Sequence, residues 1–255
     1  MLYRRRVQIA DFDRHLRLEG CFNFRDLGGY ATGDGRTIRP RTLFRADGPH
    51  ALTAADTAVL GALGLVTLID LRTGAEAGQR GTYASALRDV TAHHLPLIDV
   101  LPETDDLPRW IDPAVVARRY RTMLDDATPA IATLLALLSD ARAYPAVFHC
   151  SAGKDRTGIV AALVLGLLGV PDDTIVGDYA LSRDAMHRLI AHLHEQYPDA
   201  TDRLDQVAPA MVAAEPEAMA QFIASVRVDF GSFAGYAAAV GVPGAARDLQ
   251  AALLT

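Results

Sequence analysis

Ala146-Val147-Phe148-His149-Cys150-Ser151-Ala152-Gly153-Lys154-Asp155-Arg156-Thr157-Gly158 is the stretch that decides how this chain is read. An apolar strand runs straight into a cysteine, five residues follow, then an arginine, and a long apolar helix opens near Thr157. A short loop at a helix N-terminus points backbone N–H groups inward and places the positive end of the helix dipole at its centre. The ring from Ser151 to Thr157 therefore suits a tetrahedral oxyanion. Ala152 and Gly153 carry almost no side chain, so the backbone can approach such a ligand closely. Arg156 can fork two N–H donors onto its oxygens. The same field acts on Cys150. A free thiol with pKa ~8.5 is only about 3% thiolate at pH 7, and lowering it to ~5 gives a roughly thirtyfold gain in nucleophile. A lone cysteine at a strand end is ordinarily an inert core thiol. The fixed offsets of His149, Gly153, Lys154 and Arg156 favour a nucleophile instead.

Outward from this loop, Thr42 to Arg45, Val66 to Leu71, Val90 to Pro96 and Ala146 to Cys150 read as strands separated by helix-like sequence. Thr53 with Asp56 opens a helix running to about Leu63. Pro113 opens another through Met123, and Thr128-Pro129 caps and starts a third reaching about Arg142. Strand–helix alternation of this kind predicts an α/β fold with a central, mainly parallel sheet flanked by helices. From about Asp172 the chain reads as helical, punctuated at Pro198, Pro209, Pro216, Gly231 and Pro243. With no linker-like stretch, residues 1–255 read as a single domain. The stretches Glu103 to Asp112 and 186–230 are candidate lids, although Met211, Met219, Phe222 and Ile223 suit a core equally.

Of the 255 residues, 50% are hydrophobic and 22% charged, which excludes wholesale disorder. A net charge of −6 argues against nucleic acid as a partner. The longest apolar run, Gly158 to Val170, falls short of the ~20 residues of a transmembrane helix. Arg4, Arg5 and Arg6 are not followed by an apolar segment, so no signal sequence is read and a cytoplasmic protein is expected. Only two cysteines are present, Cys21 and Cys150, and Cys21 reads as a core thiol.

The segment His149 to Gly158 resembles the signature loop of cysteine-dependent protein tyrosine phosphatases. Its Lys154-Asp155 pair is similar to that of the atypical bacterial tyrosine/lipid phosphatase branch. Phe22-Asn23-Phe24-Arg25-Asp26-Leu27-Gly28-Gly29-Tyr30 matches a second motif of that branch. Leu43-Phe44-Arg45-Ala46-Asp47, Ile69-Asp70-Leu71-Arg72 and Asp178-Tyr179-Ala180-Leu181-Ser182 follow in order. The resemblance implies a tyrosine-phosphatase-like fold and hydrolysis of phosphotyrosine in proteins and peptides, with phosphoserine, phosphothreonine and phosphoinositides as further substrates. It implies no metal or cofactor. Cys150 would form a phosphocysteine, and Arg156 would hold the phosphate. Ser151, Ala152, Gly153, Lys154 and Thr157 would complete its binding loop, Lys154 by adding charge and the Thr157 hydroxyl by bonding the sulfur. His149 would order the loop and tune the thiolate.

The general acid is the open assignment. The resemblance points to Asp155 within the loop. Trp110-Ile111-Asp112-Pro113 is similar to a mobile-loop motif, making Asp112 the competitor, although a helix N-cap is its ordinary reading. Asp70 and Asp99 lie at predicted strand ends, where open α/β sheets place ligands, and Asp70 is a candidate substrate contact. Asn23, Arg25, Asp26, Gly28 and Gly29 could border the pocket or form a polar turn. Arg45 and Asp47 read as an ion pair. The neighbours His93 and His94 point to opposite faces of a strand, and His187, His192 and His194 read as a solvated helix face. Two rival functions remain open: a dedicated phosphoinositide phosphatase and a catalytically dead phosphate-binding module.

Overall fold

The computed structural model describes residues 14–49, 51–83, 87, 90–99 and 111–255. Within them, β1 (Arg25–Asp26), β2 (Leu43–Ala46), β3 (Thr67–Asp70), β4 (Thr91–His94) and β5 (Ala146–His149) form one sheet in the order β1-β2-β5-β3-β4. β2, β5, β3 and β4 are parallel, and the two-residue β1, which the sequence did not signal, is antiparallel at the edge. The other four strands fall within one or two residues of expectation. β5 is central, so its residues must be apolar on both faces. Val147 packs with Phe44, Leu68 and Tyr83 on one side. Phe148 packs with Ile69, Leu134 and Ile159 on the other.

The helices follow their capping chemistry. Thr53 and Asp56 form a reciprocal capping box on α1 (Ala54–Gly61). A second box, Thr73 with Glu76, starts α2 (Gly74–Arg80). Asp112 caps α3 (Pro113–Asp126), with Pro113 in its first turn. The expected Thr128 cap is not made: α4 (Thr128–Leu138) starts after Ala127, and the Thr128 hydroxyl donates to the Asp125 carbonyl at 2.8 Å. Nor does α4 reach Arg142, because Asp140 caps a separate 3₁₀ turn at Ala141–Ala143.

From β5 the chain enters α5 (Asp155–Leu168), which is buried on nearly every side and ends at left-handed Gly169. The remainder comprises α6 (Asp172–Ala180), α7 (Ser182–Gln196), α8 (Thr201–Val212), α9 (Pro216–Phe230), α10 (Phe233–Ala239) and α11 (Ala245–Leu253). Pro209 falls inside the last turns of α8 and does not separate two helices as the sequence suggested. The 186–230 stretch divides in two. Met219, Phe222, Ile223 and Val226 of α9 join the main core with α3 and α5. Met186 and Leu189 of α7 instead form a small cluster with Phe22, Ala152 and Met211, beside the loop that follows β5. No helix of the described residues is long and apolar enough to cross a membrane.

Candidate active site

The parallel strands end level with one another: Ala46, His149 and Asp70 are register partners at the C-terminal edge of the sheet. From that edge, residues 150–154 loop into α5. Cys150 is a free thiol, only 2% exposed. Gly153 has φ +65°, and a Cβ there would lie 2.7 Å from the Ala46 carbonyl oxygen, so the turn demands glycine.

Three carbonyls of the loop are tied outward. Gly48 N donates to Ser151 O at 2.9 Å, and Asn23 Nδ2 donates to both Ala152 O and Gly153 O at 3.0 Å. Arg45 adds a 2.7 Å bond to Gly153 O. In a trans peptide the N–H points opposite the C=O. Holding these carbonyls outward therefore turns the N–H groups of residues 152–154 to the inside of the loop, next to the α5 N-terminus. Asn23, left between two readings by sequence, is thus a buttress of the loop.

Arg45 is not paired with Asp47. Its guanidinium meets Asp178 of α6 at 2.6 Å, and Asp178 also receives Arg25 at 3.0 Å. All three side chains are buried. Burial would raise the Asp178 carboxyl, but the two guanidinium charges outweigh it and hold the group well below the usual carboxylate range. Asp47 is satisfied elsewhere, accepting from the Cys21 thiol at 2.7 Å and from the Phe22 and Asn23 amides at 2.9 Å. Burial, then the charge of Asp47, pushes the Cys21 thiol well up, so it remains a protonated core donor.

Arg156 is oriented by a residue that the sequence reading missed. Glu76 takes both arms of its fork, at 2.6 and 2.8 Å, and also accepts from the Ser151 hydroxyl at 2.5 Å. The Ser151 side chain is thereby directed to Glu76, leaving its backbone for the loop. Burial opposes ionisation of Glu76, yet Arg156, Ser151 and the Thr73 amide bring its pKa down to about 2. The Thr-x-x-Glu spacing of the α2 capping box was the available signal.

Three expectations about side chains are corrected, those for Lys154, Thr157 and Asp70. The Lys154 ammonium does not lie free beside an anion: it donates to the Ala210, Met211 and Ala213 carbonyls at 2.9, 3.0 and 3.1 Å, where α8 ends. Carbonyls at a helix C-terminus lack intrahelical donors, and a cation satisfies them. Thr157 is fully buried with no hydrogen-bond partner for its hydroxyl among the described residues, so the expected bond to the sulfur is not made. Asp70 is not free for a substrate contact, since Arg72 binds both its oxygens, at 2.6 to 3.1 Å. His149 is buried against the Tyr83 ring, and its Nδ1 lies 3.2 Å from the Cys150 carbonyl. Burial drives its pKa down to about 4, so a neutral imidazole orders the strand end.

Of the general-acid candidates, Asp155 begins α5, with its side chain 23% exposed and Oδ1 accepting from the Tyr120 hydroxyl. Asp112 is occupied as the exposed cap of α3, and Asp99 is exposed beyond β4. Residues 103–110 of the first candidate lid lie outside the described residues. Over the loop lies a cavity of about 570 Å³ with Ser151 and Ala152 on its wall. Leu189, Leu193 and Tyr197, with Leu204 and Met211 of α8, give it an apolar side, and Arg80 at the end of α2 gives it a cation.

Compared with known proteins, residues 16–255 match the tyrosine phosphatase family. The chain is 30% identical over 242 residues to the triple specificity protein phosphatase PtpB of Mycobacterium tuberculosis, covering 84% of each. It is 34% identical over 157 residues to a tyrosine-protein phosphatase of Nostoc commune, covering 60% of this chain and 50% of that one. Among solved structures, P. aeruginosa TpbA in complex with pTyr aligns at 19% identity and a TM-score of 0.31, over 69% of this chain and 89% of the other. With the family match running from just ahead of β1 to the last residue, the chain belongs to the tyrosine phosphatase family and is a protein-tyrosine phosphatase.

Proposed function

We propose that this enzyme hydrolyses phosphotyrosine through a phosphocysteine on Cys150. The carrying observation is the placement of Cys150: at the base of a loop whose carbonyls at residues 151–153 are tied outward, at the N-terminus of α5, and near enough to Arg156 for the two charges to interact. The sulfur attacks phosphorus in line, the S–P bond forms and the ester O–P bond breaks. Asp155 passes its proton to the departing oxygen. Water then attacks phosphorus as Asp155 takes its proton, the S–P bond breaks to return the Cys150 thiolate, and inorganic phosphate leaves. The loop amides and Arg156 hold the equatorial oxygens throughout. The cavity of about 570 Å³ and Arg80 on its wall support a broader range that includes phosphoserine, phosphothreonine and phosphoinositides. Lys154, bound to the α8 carbonyls, does not contribute to that range in this arrangement.

The test is turnover of para-nitrophenyl phosphate and of a phosphotyrosine peptide by the full chain in EDTA. Undiminished rates are expected. Binding of the peptide with no hydrolysis overturns the proposal in favour of a binding module.

Glu76→Gln keeps the shape of the side chain but removes the countercharge of Arg156 and one acceptor of its fork. A fall in kcat/KM of about 30-fold on para-nitrophenyl phosphate is expected, equivalent to ~2 kcal/mol. A change under about threefold would show that Arg156 orients without it. Asp155→Asn should lose the basic limb of the pH–rate profile and slow phenyl phosphate by roughly a hundredfold. Retention of that limb, with its loss in Asp112→Asn, would reassign the acid.

A further inference from the structure

Behind the proposed acid lies a chain of hydroxyls that the mechanism above does not use. Tyr120, on α3, is fully buried, and its hydroxyl donates to Asp155 Oδ1. The same hydroxyl lies 2.7 Å from that of Tyr179, on α6. A phenol has one proton to give. Since Tyr120 spends its proton on the carboxylate, its oxygen can only accept from Tyr179, and the order is Tyr179 to Tyr120 to Asp155. Lys154 Nζ lies 3.7 Å from the same Oδ1. The Tyr120 proton and the Lys154 charge therefore converge on one oxygen of Asp155, while Oδ2 takes no hydrogen bond from the described residues.

Resting on the reading of Asp155 as the general acid, we infer that Tyr120 is its positioning residue. By occupying Oδ1, the Tyr120 hydroxyl leaves Oδ2 as the oxygen that carries the proton and turns it to the leaving group. As the P–O bond breaks, the proton moves from Oδ2 to the ester oxygen and the phenol departs neutral. The carboxylate charge that remains strengthens the bond from Tyr120, a contribution larger after proton transfer than before. Burial and the charge of Asp155 push the Tyr120 hydroxyl well above its ordinary pKa, so it remains a donor across any assay pH. The edge-to-face contacts of its ring with Tyr179 and Phe222 hold the hydroxyl in place.

The test compares kcat/KM, which reports formation of the phosphoenzyme, on para-nitrophenyl phosphate and on phenyl phosphate. Nitrophenol leaves readily, whereas phenol needs its proton. For Tyr120→Phe, a loss of about tenfold on phenyl phosphate and under about threefold on the nitrophenyl ester is expected. In an Asp155→Asn background, Tyr120→Phe should add nothing, because the two act as one unit. Tyr179→Phe, which spares the bond to Asp155, should show the same leaving-group dependence at roughly two- to fivefold; this arm carries the test should Tyr120→Phe fail to fold. Equal losses on the two esters, or full additivity with Asp155→Asn, would overturn the role of Tyr120 and leave it a core residue. If Asp155→Asn itself shows no dependence on the leaving group, the assignment of the acid fails and the inference falls with it.

Discussion

Cys150→Ser should lower kcat/KM on para-nitrophenyl phosphate by more than about ten-thousandfold while a phosphotyrosine peptide still binds. Removing a nucleophile that acts in concert with its neighbours costs losses of this order or larger. The substitution changes one atom, and the groups proposed to hold phosphate are elsewhere. The outward ties of Ala152 O and Gly153 O to Asn23 and Arg45 do not involve the sulfur, nor does the Arg156–Glu76 pair. Binding and chemistry should therefore separate, which steady-state kinetics and titration calorimetry on the same preparation would measure. Residual activity within a hundredfold of wild type would mean that water attacks phosphorus directly, and that the loop only binds.

Asp178→Asn should destabilise the fold by about 3–5 kcal/mol, the cost of leaving buried charges without their partner. Two guanidinium groups, Arg25 and Arg45, converge on this carboxylate, and all three side chains are at most 1% exposed. Burial and the like charge of Arg25 already depress Arg45 to a pKa of about 10 despite Asp178. Without the anion the two cations would repel each other in a medium that screens poorly. Urea unfolding would measure the loss, and a fall in Tm of roughly 10 °C is expected for a chain of this size. The acid dependence has a definite sign. A carboxyl held below its unfolded value of ~3.9 contributes stability that is present above that pH and is lost as pH falls toward the folded value. The gap between wild type and variant should therefore narrow below about pH 4. A gap under about 1 kcal/mol at pH 7 would mean that the arginines find other partners.

Those arginines also mark the boundary of what sequence could reveal. Strand composition and strand endings located four of the five strands described, because each lies in a short segment rich in β-branched or apolar residues and closed by polar or turn residues. β1 is too short to leave a pattern, and its pairing with β2 is a tertiary fact. The nucleophile loop was legible because its parts are contiguous in sequence: Gly153 takes positive φ, and Arg156 lies in the first turn of α5. The partners of those residues were not. Glu76 meets Arg156 from 80 positions away, and Asp178 meets Arg45 across 133, separations at which one sequence carries no pairing signal. Proximity instead suggested Arg45 with Asp47, and Asp47 is taken by the Cys21 thiol and two backbone amides. Lys154 shows the same limit. Its place in the motif implied a phosphate contact, whereas the open carbonyls at the end of α8 hold it.

The most direct measurement is a rapid acid quench of the enzyme during turnover of a phosphotyrosine peptide, followed by mass spectrometry of the peptide spanning Cys150. A phosphoryl group on the Cys150 sulfur is expected. An unmodified Cys150 throughout turnover, or phosphate on any other side chain, would contradict the account.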